Sequence, residues 1–302
     1  MRVGDETRLS GEPPSKRKIP GWLSATLVLG AFATLLFLER RRPLRREVES
    51  KAIRNVRNLA VAGVGAMTLR LIESPVTRHL TTLSERRGWG LLKYFRLPSW
   101  LEVGLAILLL DYTLYVQHVL AHKVRFLWRF HAVHHVDLDL DASTALRFHF
   151  GELIISVPWR AAQIILIGVS PLAMSVWQTF LLISILFHHS NVRLPIAVER
   201  WLNRFIVTPR MHGIHHSIVL EERNSNWSGG FTLWDWLHGT LRLNVPQSSI
   251  TIGVPGCREA EELGLEQILK MPFHTELPCF QLAKEEDPQE QYSLTSRTCL
   301  TA

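Results

Sequence analysis

Cysteine is scarce in this 302-residue sequence: Cys257, Cys279 and Cys299 are scattered late in the chain, without a C-x-x-C pair. Neither a disulfide framework nor a zinc ribbon is suggested, and the half of the chain before these cysteines can live in a reducing compartment. No H-E-x-x-H occurs, which removes the usual zinc-protease reading. Haem, flavin and iron–sulfur signatures are also missing, so any electrons this chain uses must come from outside it. No self-similarity at periods of 20 to 50 residues is visible, which argues against a solenoid. Acidic residues are outnumbered, 27 Asp and Glu against 34 Lys and Arg. The net charge of +7 does not indicate nucleic acid, because the basic residues flank apolar blocks instead of forming an aromatic-interleaved groove. Anionic headgroups and membrane topology account for them better.

What is plentiful is apolar sequence, 47% of residues, gathered into long blocks between two polar chain ends. This distribution predicts an all-α fold, a polytopic membrane helical bundle. Gly21–Leu38 is uncharged and spans about 27 Å as a helix, enough for a bilayer core. With no small-residue cleavage site after it, it reads as an anchor and not a signal peptide. The basic run Glu39-Arg40-Arg41-Arg42-Pro43-Leu44-Arg45-Arg46 follows, and the positive-inside rule places it in the cytoplasm. Residues 58–75 form a weaker block interrupted by Arg70 and Glu73; it is expected to cross, lying along the surface being the alternative. Trp100–Leu120 is a clear span whose histidine-bearing end is then cytoplasmic. Blocks 152–170 and 172–187 flank Gly168-Val169-Ser170-Pro171, a turn short enough to demand a helical hairpin.

Twelve of fourteen histidines fall between residues 118 and 238. Eight form three spaced clusters: His118 with His122; His131 with His134 and His135; His212 with His215 and His216. Spacings of three and four place residues on one helical face, so each cluster can aim imidazoles at a common point. Imidazole suits iron, zinc, copper and nickel, and eight such ligands exceed what one ion can use, so two ions are the economical reading. His149 and His189 bracket the membrane hairpin, which returns both to the plane of the clusters and makes them further candidate ligands. His188 is expected to pack behind the site, and His79 and His274 to lie on the surface.

The sequences HVLAH (118–122), HAVHH (131–135), RFHFGE (147–152), HHSN (188–191), PRMHGIHH (209–216), NWSGG (226–230) and WDWLHGT (234–240) together resemble the fatty acid hydroxylase/sterol desaturase superfamily. The resemblance covers roughly residues 105–242. It implies a histidine-rich, cytosolic di-metal cap holding two iron ions, with zinc able to replace iron in purified material. It also implies O2-dependent hydroxylation, desaturation or ether cleavage of a lipid. Phe150, where relatives often carry proline, and His238, in place of an aromatic residue, depart from the pattern without touching a box histidine. On this reading the chain divides into a polar tail (1–20), membrane helices with the basic loop (21–104), a catalytic domain (105–242), a cap segment (243–275) and a disordered tail (276–302).

Asp111 lies inside an apolar span, where a carboxylate is expensive and usually functional. It is expected to receive an imidazole N–H from another segment and so serve the reaction; an Asp bonded to Tyr or Trp is the alternative. Trp234-Asp235-Trp236 reads as an interfacial anchor or a part of the cap. Asn226-Trp227-Ser228 meets the glycosylation sequon, but its place beside the site argues against that use. Oxidation of lipid C–H bonds further requires O2 and an external electron donor, a reductase or a ferredoxin- or cytochrome-like protein. The competing class is a histidine-based membrane metal carrier or transporter, which would spread its histidines along the membrane path; a third is a non-catalytic scaffold of the same fold.

Overall fold

A computed structural model describes residues 18–274; the expected polar and disordered tails lie almost wholly outside them. The described chain is helical, and its only extended pairings are isolated bridges. In order come α1 (Gly21–Arg41), α2 (Lys51–Thr68), a π-helical turn (Leu69–Glu73), α3 (Ser74–Arg87), α4 (Leu91–Tyr94) and α5 (Ser99–Lys123). They are followed by α6 (Arg125–His135), α7 (Phe150–Ile167), α8 (Pro171–His189), α9 (Ile196–Leu202), α10 (Pro209–His215), α11 (Leu220–Arg223), α12 (Leu233–Leu237) and α13 (Leu265–Lys270).

Five helical stretches among the described residues are long and apolar enough to cross a membrane: α1, the run from α2 to α4, α5, α7 and α8. Their outward faces carry uncovered large side chains such as Trp22, Leu29, Leu71 and Leu166, each about two-thirds exposed, as expected of helices solvated by lipid. The weak block at 58–75 belongs to a continuous helical run from Lys51 to Arg87 that stays helical through its π turn. At 1.5 Å per residue that run is about 55 Å long, well beyond a bilayer core of about 30 Å, so its first turns stand clear of the apolar region.

The hairpin of α7 and α8 follows from local chemistry. Gly168 ends α7 in the left-handed conformation, with φ of 86°, and Ser170 caps α8 by accepting the Ala173 N–H, with Pro171 in the first turn. The loop before α5 meets this turn so closely that a side chain at Gly90 would collide with the Gly168 backbone. Residues 88–98 and 168–170 therefore share one end of the bundle. At the other end Leu44 N–H bonds Asn191 C=O and Arg193 N–H bonds Arg42 C=O, joining the basic loop to the exit of α8.

That second end carries the cap. Residues 137–141 form an acidic loop against the first turns of α2: Arg54 bonds Asp137 at 3.0 Å and Asp141 at 2.8 Å, while Asn58 bonds Asp137 at 2.9 Å. The guanidinium groups of Arg54 and Arg147 hold the Asp137 carboxyl down at about 2 despite its burial. The segment after residue 243 packs Val254, Leu263, Ile268 and Met271 against Trp128, Ala132 and Val133 of α6. Cys257 in this cluster is disulfide-bonded, a pairing that the scatter of the cysteines did not suggest.

Candidate metal centre

The three histidine clusters sit on three elements that end at the cap. His118 and His122 occupy the last two turns of α5, His131, His134 and His135 the last turns of α6, and His212, His215 and His216 the end of α10. His189 is the last residue of α8. The fold sorts these nine into two groups that cut across the sequence clusters: His118, His122, His131, His135 and His215 in one, His134, His189, His212 and His216 in the other. Within each group, one nitrogen per histidine lies within 4.8 Å of all the others. Neighbouring residues thus serve different groups, because adjacent positions on a helix point about 100° apart.

The tautomers are set by bonds on the outer nitrogen. Nδ1–H of His118 donates to the Trp227 carbonyl at 2.7 Å, that of His215 to the Ser225 carbonyl at 2.8 Å, and that of His189 to the Ile185 carbonyl at 2.7 Å. Nδ1 of His131 bonds the Glu152 carboxylate at 2.8 Å. In each case Nε2 is left with its lone pair directed inward. Nε2 of His122, His131 and His215 are buried without a hydrogen-bond partner. In the second group Nε2 of His189 lies 2.9 Å from that of His134 and 3.0 Å from that of His212, which in turn is 3.1 Å from that of His216. Since Nε2 of His189 has no proton to give, donation from a neighbour can satisfy only part of this crowding. Converging lone pairs and unpartnered buried nitrogens are what a cation relieves, and the residues fit a metal. Burial pushes His134, His135, His212, His215 and His216 well below the usual histidine range, which keeps them in the neutral, ligating form.

Two expected site residues are placed elsewhere. His149 lies outside both groups and caps α7: its Nδ1 accepts the Gly151 N–H at 2.9 Å and its Nε2 bonds the Leu269 carbonyl at 3.1 Å, so neither nitrogen faces a metal. Asp111 takes no imidazole. Its Oδ2 accepts the Phe231 backbone N–H at 3.0 Å and the Trp234 indole N–H at 2.8 Å, so the Trp-bonded alternative holds. The carboxylate that does engage a box histidine is that of Glu152, which sequence reasoning passed over although it follows His149 by three residues. His188 is buried outside both groups, its ring 4.1 Å from that of His212, and His79 and His274 are exposed.

The closing motifs act as a brace. Asn226 side-chain N–H groups reach the carbonyls of Met211 and Arg242 at 2.9 and 2.8 Å, tying α10 to the segment that follows α12 and leaving a buried amide no use as a glycosylation site. Asp235 accepts the N–H groups of Trp227 and Ser228 and the Thr240 hydroxyl, which fixes the carbonyl that His118 needs.

These features define a helical membrane protein whose cap carries two buried polyhistidine groups able to bind metal. Residues 103–240, the segment that bears these histidines, match the fatty acid hydroxylase family. The chain is 34% identical to an ornithine lipid hydroxylase of Rhizobium tropici over 53% of its own length and 47% of that protein. It is 27% identical to the human alkylglycerol monooxygenase over 60% of its own length and 40% of the relative. With the cholesterol 25-hydroxylase of Rattus norvegicus it shares 26% identity over 53% of each chain. The chain thus spans about half the length of the curated relatives it matches. No solved structure matches it significantly.

Proposed function

We propose that this protein is an O2-dependent, di-iron lipid hydroxylase of the membrane, with its active site facing the cytoplasm. The observation that carries the reading is the sorting of nine histidines into groups of five and four at the ends of apolar helices. Five and four nitrogen ligands leave positions open on ions that accept six, as a site that must take up O2 requires. Two iron ions held by these groups would supply an oxidant able to attack an unactivated C–H bond, which side chains alone cannot.

The chain's own residues do the rest. Trp227, Ser225 and Ile185 carbonyls and the Glu152 carboxylate orient four of the imidazoles and keep Nε2 of each deprotonated. Eight of the nine histidines are buried and His118 nearly so, which shields the centre from bulk water and from side reactions. Placement at the end of the membrane helices lets an acyl or sterol-like chain enter from the bilayer without crossing water. The balance is one O2, two electrons and two protons per lipid, giving one hydroxyl group and one water. An external reductase or ferredoxin- or cytochrome-like donor supplies the electrons. The relatives' names, all hydroxylases or monooxygenases, favour hydroxylation over desaturation.

The cytoplasmic assignment rests on arginine. Five arginines, Arg40, Arg41, Arg42, Arg45 and Arg46, crowd one short loop at the cap end, against Arg86, Arg87 and Arg96 at the other end, where Lys93 is neutralised by Glu85 and Glu102. The Cys257 disulfide pulls the other way, since such bonds persist in oxidising compartments. The charge asymmetry takes precedence because it acts as the helices insert.

Lipid mass spectrometry of a deletion strain against a complemented one tests the function. A lipid that gains one oxygen only when the gene is present is the expected result. A loss of two hydrogens would reassign the chemistry to desaturation, and an unchanged lipid profile with changed cellular metal would favour a carrier.

A further inference from the structure

A cleft of about 700 Å³ opens between the end of α1 and the start of α2, lined among others by Arg40, Arg45, Arg46, Lys51 and Arg193. A second one of about 470 Å³ adjoins it, sharing Pro43 and Arg193 and adding Arg41 and Arg42. The acidic residues in the wall are already engaged. Glu39 pairs with Lys51 at 2.9 Å and accepts the N–H groups of Ala142 and Asn191, and Glu47 lies 3.6 Å from the same lysine. Among the described residues, Arg40, Arg45, Arg46 and Arg193 have no carboxylate within ion-pair distance.

Arg45 is the informative member. Its Nη2 donates to the Pro209 carbonyl at 2.7 Å and to Gln247 Oε1 at 2.8 Å, while its Nε and Nη1 are buried without an acceptor. Burial lowers it only to about 10, so it remains a cation at neutral pH. Half of this guanidinium fork is therefore held in place with nothing to bond, beside three further unpaired guanidinium groups. Planar forks of this kind match the oxygens of phosphate, as they do those of carboxylate, and the carboxylates in this wall are already engaged.

The cleft also lies at the right height. It opens at the last turn of α1, whose outer surface is apolar, with Leu29 and Phe37 more than half exposed and Arg41 lying over the Phe37 ring. Such a belt of arginine where an apolar helix ends is level with lipid headgroups. We propose that this cleft binds a phosphate-type oxyanion presented by the headgroup of an anionic membrane lipid. The site is coupled to the cap by its walls: Arg45 N–H bonds the Asn191 side chain two residues beyond His189, and the Arg45 guanidinium lies so close over Gly213, next to His212, that a side chain there would displace it. A bound lipid would thus stiffen the segments that carry two histidines of the second group. The binding itself is independent of whether the histidine centre turns over.

The test uses full-length, detergent-purified protein and native mass spectrometry with phosphatidylglycerol, phosphatidylcholine or sodium phosphate. The wild-type chain should retain phosphatidylglycerol in preference to phosphatidylcholine. The double variant Arg46→Gln/Arg193→Gln removes two exposed cations and should weaken that binding roughly 10- to 30-fold, with metal content unchanged. Arg86→Gln/Arg87→Gln removes the same charge from the opposite end of the bundle and should leave binding intact. Equal binding by the two double variants, or equal retention of the two lipids, would overturn the proposal. Inorganic phosphate bound without preference for the anionic lipid would assign the cleft to a free ion and overturn the lipid assignment.

Discussion

The Trp234 indole donates a 2.8 Å hydrogen bond to Asp111 Oδ2, halfway along a helix apolar enough to cross the membrane. The same oxygen accepts the Phe231 N–H, and Tyr115, one turn nearer the cap, bonds Thr240. Residues 227–240 therefore run down α5 from the level of His118 to that of Asp111, about 10 Å at helical rise. Irregular backbone at such depth must have its polar groups satisfied by protein, and Asp111 does so.

This relationship makes Asp111 a structural residue. Asp111→Asn should lower stability by about 1–3 kcal/mol, since the amide accepts more weakly and brings an N–H that finds no partner there. Bound metal per folded chain should not change. Thermal unfolding in detergent together with elemental analysis checks both. Loss of metal without loss of stability would return the carboxylate to the metal site.

Metal content separates ligands from caps. Protein prepared anaerobically with iron should hold two ions per chain, and His134→Ala should lower that number and abolish lipid oxidation. Glu152→Gln should weaken metal binding by about 10- to 100-fold through its bond to His131. His149→Ala should keep both ions and lose about 0.5–2 kcal/mol as a helix cap. A wild-type chain with one ion would refute the two-metal centre.

Acid should unfold the metal-free protein early. His134, His135, His212, His215 and His216 are held below the ordinary histidine value of 6.5 by burial, so below that pH the unfolded chain binds protons that the folded one refuses. Stability is then fully present above pH 6.5 and falls as the pH drops below it. Unfolding temperature measured from pH 7.5 to 5 on metal-free and metal-loaded samples should show a steeper fall without metal. A flat metal-free profile would mean that these imidazoles are not buried.

Topology can be read by labelling single cysteines. Ser249→Cys on the cap and Arg96→Cys at the opposite end are both exposed positions and should react from opposite sides of the membrane, Ser249→Cys from the cytoplasm. Reaction of both from one side would contradict the five-span arrangement. Reaction of Ser249→Cys only from the outer side would reverse the orientation and agree with the Cys257 disulfide.

Much of this was legible in the chain itself. Apolar length announces α1, α5, α7 and α8, because a bilayer-spanning helix needs little besides some twenty mostly apolar residues, and Gly168 with Pro171 marks the hairpin. Histidine spacing of three and four identified eight of the nine grouped histidines, and the hairpin argument added His189. The same argument brought His149 to that plane but not into either group, because returning a residue to the correct plane does not decide where its ring points.

What the sequence determined alone was thus periodic and local: which segments are apolar helices, and which helix ends carry imidazoles. Only the tertiary structure decided the partners. It divided the box histidines into groups of five and four, gave His131 its carboxylate in Glu152, and bound Asp111 to Trp234, 123 residues away. It also brought Arg54 to Asp137, 83 residues apart, a network with no spacing to announce it. Helix periodicity is fixed by the backbone over a few residues, whereas the direction of a buried polar bond is fixed by whichever distant group the packed helices place within about 3 Å of it.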